Sequence, residues 1–227
     1  MLNFEEDKLI AELKEKSPKR VLVQLPEGVK GKAPEISKLI EGLGIEVVFS
    51  GETAWGGCCV SVEEAKKAEC DLIVHFGHVK FMDVGFPVLY IVIKDELELN
   101  PLLEKSLEKL KDFETIGLSY SIQHRHDIDK IVKFYEAADK RIILSAKKGY
   151  SAHEGHVVGC EFNGLKTIEN DVGAFIIIGN NFHSMGACLM VEKPVFLLDV
   201  YNDDIVEMGD VRNKIIRQRA MSIEKFK

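Results

Sequence analysis

Short apolar runs rich in β-branched residues alternate along this chain with longer stretches of helical spacing, and that alternation restricts the fold to stacked βαβ units with parallel sheets. Residues 21–25, 46–50, 71–76 and 87–93 are the first four strand candidates. Residues 4–16, 30–43 and 62–68 carry helical spacing with charged outer faces. A second series follows, with strands expected at 115–119, 141–145, 174–178 and 195–198 and helices at 95–112 and 128–138. The expected fold class is therefore α/β, with tandem small domains that each hold a four-stranded parallel sheet flanked by helices.

The domain boundaries expected from this pattern are residues 1–98 for the first unit and 99–205 for the second, with 206–227 as a terminal helix. That helix places Val211, Ile215, Ile216, Ala220 and Ile223 on one apolar face with no strand after it. Such a face packs back on the preceding sheet or leads toward a further domain.

Parallel sheets gather ligands at the carboxyl ends of their strands, so the loops that follow the strands are where chemistry is sought. In the first unit these are Gln24-Leu25-Pro26-Glu27-Gly28, the segment from Gly51 to Cys59, and His75-Phe76-Gly77-His78. Gly56-Gly57 ahead of Cys58 removes side-chain bulk and lets the loop wrap closely around a ligand. In the second unit Gly155-His156-Val157-Val158-Gly159-Cys160 repeats the glycine-then-cysteine order, and Gly179-Asn180-Asn181-Phe182-His183 follows an apolar strand.

The five cysteines are odd in number, lack the spacing of a small disulfide scaffold and follow no export signal, so they are expected to be thiols or ligands. A buried thiol in a tight turn is the bland reading of any one of them. Neither Cys58 nor Cys160 has a close Cys-x-x-Cys or Cys/His partner of the zinc type. Widely separated single thiolates suit an iron–sulfur cluster held by more than one domain. Consecutive extended residues face opposite ways, so one of Cys58 and Cys59 is expected to be a bystander; Cys70 and Cys188 look structural.

Among the seven histidines, His75 and His78 are spaced like a ligand pair on a turn, although strand-end capping explains them equally well. The His124-Arg125-His126 run resembles a solvated or anion-facing loop. Phosphate-binding Gly-x-x-x-x-Gly-Lys-Ser/Thr and dinucleotide Gly-x-Gly-x-x-Gly loops are both missing from the sequence, as is a Gly-x-Ser-x-Gly nucleophile elbow. The formal net charge of -7 and pI near 5.6 argue against direct nucleic-acid binding through phosphate neutralisation. No apolar run approaches the roughly 20 residues of a membrane span, and residues 1–15 are punctuated by charge, so a cytoplasmic location is expected.

Taken together, Gln24 to Gly28, Gly51 to Cys59, Val74 to His78, Gly155 to Cys160, Gly179 to His183 and Asp199-Val200-Tyr201 resemble, in order, the motifs of the archaeal diphthamide-biosynthesis enzymes, the 2-(3-amino-3-carboxypropyl)histidine synthase family. Asn181 stands where that family's pattern has glycine, and Val200 where it has proline. The resemblance implies three related α/β domains, each giving one cysteine to a [4Fe-4S] cluster, and a homodimer. Cys58 matches the first of these ligands and Cys160 the second; a third ligand is absent from this chain, whose last helix is then expected to lead to a missing third domain.

The same resemblance implies S-adenosylmethionine (SAM) as cofactor, bound to the open iron through its amino acid moiety. Gln24, Pro26, Glu27 and His78 are the residues it places in the SAM pocket. The reaction implied is radical transfer of the 3-amino-3-carboxypropyl group to C2 of a histidine imidazole on elongation factor 2, with methylthioadenosine released. A non-catalytic partner or scaffold subunit of the same pathway is the alternative, and a generic doubly wound small-molecule binder is a third.

Overall fold

The computed structural model describes Met1–Phe226. It divides into two compact units, Met1–Glu96 and a second from Leu97 onward, each with its own sheet and core.

In the first unit, β1 (Leu2–Asn3) precedes α1 (Glu6–Lys16), β2 (Arg20–Gln24), α2 (Ala33–Glu41), β3 (Glu46–Phe49), α3 (Val62–Lys67), β4 (Leu72–Phe76), β5 (Val88–Ile91) and β6 (Lys94–Asp95). The sheet is four-stranded in the order β3-β2-β4-β5, and its pairings are all parallel. Alternate residues of β2 face opposite layers: Val21 and Val23 pack with Leu9, Leu13, Ile36 and Ile40 of α1 and α2, whereas Leu22 joins Ala65 of α3. Burial on both faces explains why the strands are nearly continuous apolar runs. β1 and β6 form a separate antiparallel ribbon, Leu2 opposite Asp95. Two residues are too few to leave a periodic signal in sequence.

The second unit repeats the plan with α4 (Asn100–Lys109), β7 (Thr115–Tyr120), α5 (Ile128–Ala137), β8 (Arg141–Leu144), α6 (Asn163–Lys166), β9 (Ala174–Gly179), α7 (Asn181–Met190) and β10 (Val195–Asp199), followed by β11 (Asp204–Glu207) and α8 (Gly209–Phe226). Its sheet runs β8-β7-β9-β10-β11. The first four strands therefore follow the order seen in the first unit. α4 and α5 cover one face through Leu102, Leu103, Ile131 and Tyr135, while Leu165, Ala187 and Cys188 of α6 and α7 cover the other.

The parallel four-stranded sheet expected for this unit gains an antiparallel fifth strand, β11, paired with β10. Asp199 builds the hairpin: its Oδ1 accepts the Tyr201 and Asn202 backbone N–H groups, and its Oδ2 accepts from the Asn202 amide. Val206 and Glu207, expected at the start of the terminal helical segment, lie in this strand. α7 also replaces what reads as loop, because the Asn180 side chain caps it. Within α8, Val211 packs against the core, whereas Ile216, Met221 and Ile223 are exposed. Among the described residues no helix is long and apolar enough to cross a membrane.

Candidate functional site

In both units the strand order reverses between the first and third strands, and in open parallel sheets ligands bind at the carboxyl ends beside such a reversal. In the first unit these ends are Gln24 and His75, which are register partners. Gln24 is fully buried, and both its amide nitrogen and its amide oxygen are hydrogen-bonded. Nε2 donates to the Cys59 carbonyl at 2.7 Å, and Oε1 accepts the Ser61 backbone N–H at 3.2 Å, so Gln24 fastens the cysteine loop to the end of β2.

That loop turns at Gly56, whose carbonyl accepts the Cys59 N–H. A Cβ on Gly57 would lie 2.2 Å from the Val79 carbonyl oxygen, so only glycine fits. The turn also overrides the expectation that adjacent cysteines face apart: the Cys58 and Cys59 sulfurs are 3.8 Å from each other, because the segment is not extended. Cys58 is exposed, in contrast to Cys70, which is buried and whose thiol pKa burial raises.

His75 and His78 do not form a ligand pair. His75 lies in β4, wholly buried, with Nδ1 3.0 Å from Gln24 Oε1 and Nε2 3.0 Å from His78 Nδ1. Burial, reinforced by the neighbouring His78, lowers the His75 pKa to about 3, and burial lowers that of His78 to about 4. Pro26 packs against Gly77, where a Cβ would approach it to 2.8 Å at a φ of +85°. Glu27 is exposed and paired with Lys30 at 2.8 Å, which lowers its pKa. Of the four residues expected in a SAM pocket, Gln24 thus acts from beneath the surface, whereas Glu27 and half-buried His78 reach it.

The second unit fastens its cysteine loop differently. The Tyr120 N–H donates to the Gly155 carbonyl and the Val157 N–H to the Tyr120 carbonyl, so the loop runs alongside the end of β7. The Tyr120 hydroxyl donates to the Glu154 carbonyl at 2.7 Å. Gly155 adopts φ +76°, and a Cβ there would sit 2.6 Å from the Tyr120 ring. Exposed Phe182 covers Gly159, the residue before exposed Cys160. Cys188 is buried in the core, and burial raises its pKa.

Three further side chains complete this end of the sheet. Asn180 Oδ1 accepts the Phe182 and His183 backbone N–H groups and lies 2.9 Å from His183 Nδ1. His156 is buried, and its Nδ1 accepts the Ala152 N–H. Burial lowers the pKa of each histidine to about 4. The expectation of a solvated His124-Arg125-His126 loop fails at its first residue: the segment is a 3-10 turn that buries His124 completely.

Cys58 and Cys160 thus occupy equivalent loops, after the second strand of each sheet. Exposed thiols on glycine-permitted turns are open to iron, whereas Cys70 and Cys188 are enclosed by apolar core. Among the described residues no group of three or more His, Cys, Asp or Glu forms a ready metal site, so a cluster would need donors beyond those gathered within either unit.

Comparison with known proteins adds three findings. Residues 25–227 match the model of the diphthamide synthesis protein family. The 2-(3-amino-3-carboxypropyl)histidine synthase of Pyrococcus horikoshii is 26% identical over 96% of this chain, which spans 63% of that protein, and subunit 1 of the Kluyveromyces lactis enzyme is 26% identical over 98% of the chain and 54% of its own length. The chain therefore covers less than two thirds of these relatives. A crystal structure of Dph2 from Pyrococcus horikoshii with a 4Fe-4S cluster superposes with a TM-score of 0.91 at 26% identity, covering 99% of this chain and 66% of that one. Motif order, strand order and the family match agree, and the chain belongs to the diphthamide synthesis protein family.

Proposed function

We propose that this chain takes part in the first step of diphthamide biosynthesis, transfer of the 3-amino-3-carboxypropyl group from SAM to a histidine of elongation factor 2. The observation that carries this reading is the pair of exposed thiols, Cys58 and Cys160, in equivalent glycine-shaped loops at the functional ends of two sheets of the same strand order. Each thiolate would ligate one iron of a [4Fe-4S] cluster, with a third thiolate and the SAM amino acid moiety completing it. Such a cluster, when reduced, supplies the electron that breaks the bond between sulfur and the γ-carbon of SAM.

The chain's own contribution is placement. Gln24 holds the Cys58 loop through the Cys59 carbonyl, and Tyr120 holds the Cys160 loop through Gly155 and Val157. Phe182 over Gly159 brings apolar surface beside Cys160, which favours a water-poor setting for the cluster. A homodimer in the cytoplasm completes the proposal.

The test is anaerobic reconstitution, with iron and sulfide, of the complete protein that includes the third thiolate. Brown protein with broad absorbance near 400 nm is expected, and Cys58→Ala and Cys160→Ala each lower bound iron while Cys70→Ala and Cys188→Ala do not. Colourless reconstituted wild-type protein would sink the reading. The naming of the yeast relative as a subunit favours a second possibility, a non-catalytic partner. Release of methylthioadenosine from SAM and dithionite only when a second polypeptide is added would support it.

A further inference from the structure

Just past the third strand of each unit a histidine is oriented by a side-chain amide, through His75 in the first unit and directly in the second, and the hydrogen bonds determine which ring nitrogen bears the proton. In the first unit the Ser61 N–H donates to Gln24 Oε1 while Gln24 Nε2 donates to the Cys59 carbonyl, which fixes the orientation of the amide. His75 Nδ1, 3.0 Å from that same Oε1, must therefore carry a hydrogen. A neutral His75 then has a bare Nε2, which accepts from His78 Nδ1 at 3.0 Å. The proton of a neutral His78 is thus on Nδ1 and its lone pair on Nε2.

The second unit reaches the same result by a shorter route. Asn180 Oδ1 is fixed as an acceptor by the backbone N–H groups of Phe182 and His183, so His183 Nδ1 at 2.9 Å donates to it. The lone pair again falls on Nε2. His156 is the internal contrast: the Ala152 N–H donates to its Nδ1 at 2.9 Å, which puts its own proton on Nε2.

We propose that Gln24 and Asn180 are positioning residues that set these tautomers, so that His78 and His183 each present Nε2 as a hydrogen-bond acceptor to a ligand bearing N–H donors, an ammonium or amino group and not an anion. This deepens the reading above and rests on it only for which donor-bearing ligand arrives. The tautomers themselves are measured without iron or SAM, so failure here and failure of the cluster reading are distinguishable.

The experiment is long-range proton–nitrogen correlation on the full chain with 15N-histidine, at neutral pH. His78 and His183 are expected as Nδ1–H tautomers and His156 as Nε2–H. Asn180→Ala should turn His183 into a tautomer mixture, whereas Asn180→Asp, which keeps the acceptor, should not. S-adenosylhomocysteine, which carries an ammonium and an exocyclic amine, should shift the Nε2 resonance of His78 or His183; sulfate, an acceptor only, should not. An Nε2–H tautomer for His78 or His183 in the wild-type chain overturns the proposal. So does an unchanged His183 in folded Asn180→Ala, silence toward S-adenosylhomocysteine, or a response to sulfate. If Asn180→Ala does not fold, the wild-type tautomers and Asn180→Asp still decide.

Discussion

Burial holds His75 at a pKa of about 3 and His78, His156 and His183 at about 4, below the ordinary 6.5. The unfolded chain therefore takes up protons that the folded chain refuses. Their neutral-state stability is fully present above pH 6.5 and declines as pH falls toward 4, by on the order of 1 kcal/mol per pH unit for each histidine. Denaturant midpoints measured between pH 7 and pH 4 should fall steadily, and a His75→Gln variant should show a shallower fall. Glycine carries the second prediction at this scale. Gly57→Ala, facing the Val79 carbonyl, is expected to cost about 1–3 kcal/mol in urea unfolding, whereas Gly28→Ala, with open space around it, should change little. The Gly56-Gly57-Cys58 and Gly159-Cys160 runs were legible in the sequence as glycine-shaped loops that follow strands. The role of Gln24 was not, since it depends on the register that sets Gln24 beside His75.

Strands and most helices could be read from the residues because both sheets are buried on both faces, which leaves uninterrupted apolar runs between charged helical ones. α7 escaped because its first turn, Asn181-Phe182-His183, looks like loop and its helical state depends on the Asn180 cap. Asn180→Ala should cost about 1 kcal/mol in stability and Asn180→Asp very little, measured by thermal unfolding. β11 escaped because a four-residue edge strand carries charge at both ends and its existence depends on the Asp199 turn. A buried hydrogen bond ties α4 to α5: the Tyr135 hydroxyl lies 2.7 Å from Ser106 Oγ. Tyr135→Phe should cost about 1 kcal/mol, read from chemical denaturation, since Ser106 keeps its bond to the Leu103 carbonyl.

Across the whole chain, the shared strand order of the two units and the matching loops for Cys58 and Cys160 fit duplication of one α/β module. Beyond the glycine-then-cysteine order the residues themselves show no repeat, because strand order survives replacement of nearly every side chain that faces it. Each unit owns its core, so Met1–Glu96 expressed alone is expected to unfold cooperatively by circular dichroism. The β1–β6 ribbon gives that unit a further property. The Met1 amino group donates to the Glu96 carbonyl, so the module starts and finishes at one point. Such a module can be circularly permuted, with its old ends joined by a short linker and new ones opened at exposed Gly31, or inserted whole into a loop of a host protein.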